Sequence, residues 1–203
     1  MNETGVGVEP LDPQAGQVLA FWFGAADDPA RDRPRAQWFR KDPAFDAQVR
    51  TSFGALIELA LEGGLMHWAL EPAGALARII VLDQFTRNAF RDTARAFAGD
   101  AQALAVAREL VGSGGDRALP GVQRQFVYLP FEHAEDLPMQ EESMRLFGQL
   151  AHDEPALADL LTWAQRHHAI VERFGRFPHR NALLGRASTP QELEFLRQPG
   201  SGF

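Results

Sequence analysis

The sequence predicts an all-α protein of about eight to ten helices, antiparallel neighbours being joined by short loops. Three observations carry this. Helix-opening signatures recur along the chain, an acid or threonine standing just ahead of a proline. Apolar residues between them fall at three- and four-residue spacing, and no segment sustains the two-residue alternation of a half-buried strand. The opening prolines fall at irregular intervals, so no fixed repeat is present.

Residues 1–12 read as a loose N-terminal tail in a chain that otherwise forms a single helical domain over 1–203. Asp12-Pro13 opens a helix that carries Val18 and Leu19 and ends at Phe21-Trp-Phe-Gly24. A polar loop from Asp27 to Arg35 follows. Asp42-Pro43 starts a longer helix with Phe45, Val49, Phe53, Leu56, Ile57 and Ala60 on one side, closed by Gly63-Gly64. Glu71-Pro72 introduces a helix over Ala73 to about Phe85, apolar nearly all round and therefore expected in the interior. Asp100 reads as the cap of a helix through Leu104, Ala107 and Leu110 to the glycines at 112–115. The stretch from Pro120 to His133 is expected to be interrupted by Pro130. Asp136-Leu-Pro138 and Asp153-Glu-Pro155 launch helices to about Ala151 and Phe174, and Thr189-Pro190-Gln-Glu192 is a capping box.

Composition removes whole classes of chemistry. With no cysteine there is no disulfide, thiolate catalyst or cysteine metal site. Of 20 basic residues only Lys41 is a lysine, and it lacks the glycine-rich context of a P-loop. A net charge of −7 argues against nucleic acid as partner. No apolar run is long enough to span a membrane, and the acidic N-terminus is not a signal peptide, so the cytoplasm is the expected compartment. No feature calls for a cofactor. His133, His167, His168, His179 and Glu132 lack metal-ligand spacing, so no metal is expected, and no G-x-S-x-G marks a hydrolytic serine. The oligomeric state is left open.

Three polar blocks stand out against this apolar background. Asp83 and Arg87 lie four residues apart on the buried stripe of the Ala73–Phe85 helix, with Asn88 beside them, and must pair with each other or a third group. Glu132, Glu135 and Asp136 share a helical face beside His133, and carboxylates that close require cations or raised pKa values. Glu135 and Asp136 equally suit the start of the following helix. The third block, Arg173-Phe-Gly-Arg-Phe-Pro-His-Arg-Asn181, ends a helix at Gly175 with its cationic residues showing. Arginine forks at 173, 176 and 180, with His179 and Asn181, suit a carboxylate or phosphate, or the acids of the second block. We expect the three blocks to meet in one site.

Several long motifs in fixed order resemble a known family. They are Val18-Leu-Ala-Phe-Trp-Phe-Gly24, Leu82-Asp-Gln-Phe-Thr-Arg-Asn88, Leu129-Pro-Phe-Glu-His-Ala-Glu-Asp-Leu137 with Gln140, His167, the 173–181 block, Leu184-Gly-Arg186, Ser188-Thr189 and Pro199-Gly-Ser-Gly-Phe203. Nearly the whole chain is similar to the bacterial domain-of-unknown-function family 924. Thr86, Ala134 and Gly202 depart from the family pattern, which has proline, serine and serine there. Without proline at 86 the helix is free to run on to Arg87, and Ala134 supplies no hydroxyl nucleophile. The resemblance implies a TPR-like helical architecture and no particular activity.

Three functional readings follow. The leading one is a helical scaffold whose Asp83, Arg87, Asn88, Arg173, Arg176, His179, Arg180 and Asn181 line a pocket for a small anion or an acidic peptide end. The second is an acid–base enzyme with Glu132 or His133 as the catalytic base and arginines as clamps. The third is a polar network that only holds the fold together. On sequence alone Glu132→Gln should cost much stability, following an apolar run, and Arg180→Ala little, since it sits in a turn-like stretch.

Overall fold

A computed structural model describes residues 11–202, and the tail expected over 1–12 lies outside them except for its last two positions. Asp12 caps α1 (Pro13–Phe23), accepting hydrogen bonds from the backbone N–H of Gln14 and Ala15 at 2.8 and 3.4 Å. Asp42 does the same for α2 (Pro43–Leu61). Between them a 3-10 turn, Ala36–Phe39, drops Trp38 into the interior, where its indole N–H donates to the Trp22 carbonyl at 2.9 Å. Phe126 is the centre of this aromatic packing, with ring centroids 4.9 Å from Trp38, 5.6 Å from Trp22 and 5.5 Å from Phe23. Such edge-to-face pairs contribute about 0.5–1.5 kcal/mol each beyond area burial.

The interior is organised on one continuous helical rod. It comprises α3 (Pro72–Ile79), a π-helical stretch Ile80–Phe85, and α4 (Thr86–Ala89). Every residue from Gly74 to Thr86 is buried. The rod passes Phe85, as Thr86 in place of proline allows, and the Thr86 hydroxyl donates to the Leu82 carbonyl at 2.7 Å. Wide π turns are uncommon and concentrate at functional sites. This one carries Asp83.

After a 3-10 turn, Ala94–Phe97, α5 (Asp100–Gly112) packs along α3. Its N-cap is Gly99 rather than Asp100, and the reason is steric. A Cβ on Gly99 would sit 2.1 Å from the Leu82 carbonyl oxygen, so only glycine lets the two backbones approach. Asp100 is the first residue of the helix, and its carboxylate accepts from Arg87 and Arg180 instead of capping. α6 (Gly121–Glu132) is buried throughout and runs through Pro130, correcting the expected interruption. Pro130 stands only two residues before the helix end. The terminal carbonyls are satisfied from outside, the Gln140 side-chain amide donating to Phe131, Glu132 and Ala134 oxygens at 3.3, 2.6 and 2.7 Å.

α7 (Leu137–Asp153), capped by Asp136, packs on α6 and then on α8 (Asp159–Phe174). Asp153-Glu-Pro155 opens a 3-10 turn, Pro155–Leu157, before α8 begins. Gly175 ends α8 in the left-handed region at φ 68°. A 3-10 turn, Pro178–Arg180, and α9 (Pro190–Leu196) complete the described chain, α9 opening on the Thr189–Glu192 capping box. Ile170, Val171 and Phe177 form a small apolar cluster apart from the main core. No strand occurs among the described residues, and none of their helices is long and apolar enough to cross a membrane.

Candidate functional site

The blocks converge where the π stretch, the end of α6 and the 178–180 turn meet. Asp83, fully buried, receives three donors: Nδ1 of His133 at 2.7 Å, Nη1 of Arg87 at 2.9 Å, and the Gln84 amide. Arg87 turns its fork onto Asp100, at 2.9 and 3.1 Å, and also reaches the Asp83 carbonyl at 2.6 Å. Asp100 in turn accepts from Nη1 of Arg180 at 3.2 Å. The result is a chain of alternating charge: His133, Asp83, Arg87, Asp100, Arg180. Arg180 is held further by two aromatic faces, its guanidinium carbon lying 4.6 Å from the centroids of both Phe97 and Phe177.

Beside this chain lies a second pair. Nδ1 of His167 is 3.1 Å from Glu132 Oε1 and 2.9 Å from the Trp163 carbonyl. The His133 and His167 rings are 6.3 Å apart, and Phe177 and His179 continue the line at 5.5 and 5.7 Å.

The electrostatics follow from burial and from the neighbouring charges. Burial would raise the Asp83 carboxyl, but Arg87, His133 and Gln84 outweigh it, so Asp83 stays ionised well below its ordinary range. His133 is lowered, by burial first and by Arg87 next, against the opposing pull of Asp83. Burial pushes Glu132 up to about 8, reinforced by the nearby Asp83 charge. Burial lowers His167 to about 3 and His179 to about 4. Glu132 and His167 are thus a neutral pair at pH 7 rather than an ion pair. Arg180 falls to about 10, by burial and then by Arg87. The charged groups Asp83, Arg87, Asp100 and Arg180 cancel, so the site is close to neutral.

At its open end, Nε2 of His133 has no partner among the described residues, and the side chain is 14% exposed. With Nδ1–H donated to Asp83, that nitrogen presents a lone pair. An imidazole fixed through Nδ1 by a buried carboxylate, with Nε2 open, has the arrangement of a general base.

The remaining expected residues sit elsewhere. Asn88 donates to Asp46 at 2.8 Å, in a separate cluster where Arg91 also clasps Asp46 at 2.7 and 2.8 Å. Arg176 forks onto Glu192 at 2.6 and 2.8 Å. Asn181 bridges Ser188 and Arg186, each at 3.0 Å. Arg173 is exposed and stacked on Phe174 at 4.6 Å. His179 lies beside Phe177 at the edge of the cluster. Glu135 is bound by Arg186 and accepts the Phe177 backbone N–H at 2.7 Å, so it ties the 173–181 block to α6 instead of capping α7.

Sequence reasoning undervalued Asp100, read as a cap, and His167, read as an edge residue. The signal for His167 was available: with Ala164, Ile170 and Val171 it lies on the buried stripe of α8. Asp100 had no such signal, because its role depends on the contact at Gly99.

The fold belongs to a recognisable class of helical proteins. A family model described as a bacterial protein of unknown function (DUF924) matches residues 18–200, and the chain belongs to that family. A solved structure of a protein of unknown function from Agrobacterium tumefaciens is 38% identical, with a TM-score of 0.78, covering 92% of this chain and 98% of the other. No curated protein matches.

Proposed function

We propose that this protein is an acid–base enzyme acting on a small uncharged substrate, with His133 as the base and Asp83 as the group that orients it. The observation that carries the reading is the Asp83–His133 pair at 2.7 Å with Nε2 of His133 left open. In this reading His133 Nε2 takes a proton from the substrate and the Asp83 carboxylate stabilises the imidazolium so formed. Arg87, itself anchored by Asp100, holds Asp83 ionised and in place. Glu132, protonated at neutral pH, holds an acidic proton on the same turn of α6.

The anion-binding reading is less well supported at this site. Arg87 and Arg180 share Asp100, and Arg176 is matched by Glu192, so no surplus positive charge awaits a ligand there. The reading also does not depend on the concave partner surface of a TPR-like array, nor on a particular compartment. A purely structural network has one observation in its favour. Two hollows, one lined in part by Phe131 and Met139 and the other by Ala75 and Glu109, lie away from the charged chain.

The experiment that separates these readings incubates the protein with a bacterial metabolite extract in water carrying deuterium and oxygen-18. Wild type is expected to change the amount or mass of at least one metabolite, and His133→Gln, folded but lacking the base, to leave it unchanged. Identical profiles for wild type, His133→Gln and buffer contradict an acid–base enzyme.

A further inference from the structure

Exposed arginines on α7 and at the end of α9 are matched by acids of their own helix. Arg145 is clasped by Glu142 at 2.7 and 2.6 Å, and Arg197 meets Glu194 at 3.1 Å, each acid standing three residues before its arginine. α8 departs from this at two exposed positions. Arg166 has Thr162, Trp163, Ala169 and Ile170 at the three- and four-residue spacings, and Arg173 has Ala169, Ile170, Arg176 and Phe177. No acid stands where it could pair, and no carboxylate lies within ion-pair distance of either guanidinium among the described residues. Each arginine instead lies over an aromatic ring of its own helix, Arg166 at 4.7 Å from Trp163 and Arg173 at 4.6 Å from Phe174.

The two arginines share one face. At about 100° per residue they stand about 20° apart around α8, with Trp163 about 60° to one side of Arg166. α8 packs against α7 and α6, and this face is turned to solvent. Trp163 is 46% exposed, whereas Trp22, Trp38 and Trp68 are buried. Arg173, in the last turn, also meets the negative end of the helix dipole, but Arg166 stands two turns earlier, where that effect has faded. Tryptophan and arginine together are the side chains that dominate binding at protein interfaces.

Spacing and charge narrow the partner. Seven residues of helix put the two arginines about 10 Å apart along the axis, too far for one carboxylate or phosphate to bridge. A partner must therefore present acids repeated at that distance. A flat anionic surface such as a bilayer would also meet Asp159 and Glu172, both exposed on α8, in a chain of net charge −7. A narrow segment laid along the stripe meets the arginines alone.

We propose that the outer face of α8 docks an acidic helix of a partner protein, with carboxylates two turns apart on Arg166 and Arg173 and an apolar side chain against Trp163. This surface goes beyond the acid–base reading and does not depend on it. Arg173, expected from the sequence to line an anion pocket, is thereby assigned to a protein contact.

The test is fluorescence anisotropy with a labelled helical peptide carrying glutamates two turns apart among alanines and leucines. The same peptide with lysines in place of the glutamates is the control. Wild type is expected to bind the glutamate peptide at least tenfold more tightly than the lysine peptide. Because the other tryptophans are buried, the accompanying blue shift of tryptophan emission reports Trp163. The double variant Arg166→Gln, Arg173→Gln should keep its melting temperature within about 2 °C, since neither arginine has an acid to lose, and should bind the glutamate peptide at least fivefold more weakly. Wild type that does not bind the glutamate peptide, or a double variant that binds it as well as wild type does, overturns the proposal. So does a wild type that ignores the peptide and sediments with phosphatidylglycerol vesicles, since the face would then be a lipid contact.

Discussion

Arg180→Ala is expected to lower stability by about 3 kcal/mol, the range for removing one member of a buried charge pair. The residue is 7% exposed, bonded to Asp100, and packed between the rings of Phe97 and Phe177 at 4.6 Å on each side. A desolvated guanidinium over an aromatic face is itself worth about 2 kcal/mol, and truncation empties the space between two rings. Part is offset because Arg87 still neutralises Asp100 and because the orphaned Nε of Arg180 disappears. For a chain of this size the melting temperature should fall by roughly 6–12 °C. Arg176→Ala is the comparison: Arg176 is partly exposed, and its buried partner Glu192 keeps the Thr189 backbone N–H at 2.7 Å, so the loss should stay at about 1–2 kcal/mol. Urea denaturation of the three proteins measures both. An Arg180→Ala loss no larger than that of Arg176→Ala would mean that the stacked, bonded position contributes little.

Glu132→Gln should behave in the opposite way from the sequence expectation, and its effect should depend on pH. The Glu132 carboxyl has no cation to oppose it, only His167 at 3.1 Å and the repelling Asp83 charge. Its pKa is pushed up from 4.5 to about 8 in the folded state. Between those values the folded protein keeps a proton that the unfolded chain has released. The carboxyl's contribution is therefore intact below pH 4.5 and is lost as pH rises through 8. Glutamine cannot ionise. At pH 5 the variant should match wild type within about 1 kcal/mol, and at pH 9 it should be more stable by on the order of 3 kcal/mol. A loss of similar size at every pH from 5 to 9 would show that the carboxyl is needed for its shape and hydrogen bonds instead.

Both expected results differ from those drawn on the sequence alone, and the reasons lie in contacts the sequence does not display. Sequence placed Glu132 correctly in the interior, since it follows Phe126 to Phe131 on a buried helix, but burial alone does not reveal whether a cation awaits it. For Arg180 the sequence expectation rested on local logic. Gly175 and Pro178 do make a turn, yet the turn is pressed onto α5 by Asp100 and Phe97, a contact spanning 80 residues. Helix starts were far more legible, because Asp12, Asp42, Asp136 and Thr189 act through groups two or three residues away. Asp100 followed the same local pattern and departed from it, because the Gly99–Leu82 approach lies outside any local window. The π turn that carries Asp83 was likewise hidden, since its residues also suit an ordinary helix.

Nitrogen-15 NMR of the histidine rings tests the acid–base centre most directly. At pH 7 to 8 His133 should be neutral, with Nδ1 protonated towards Asp83 and Nε2 carrying the lone pair, because its pKa lies below the ordinary 6.5. In Asp83→Asn the preference for that tautomer should disappear. A His133 ring that is doubly protonated at pH 7, or that carries its single proton on Nε2, would contradict the assignment of His133 as a base oriented by Asp83.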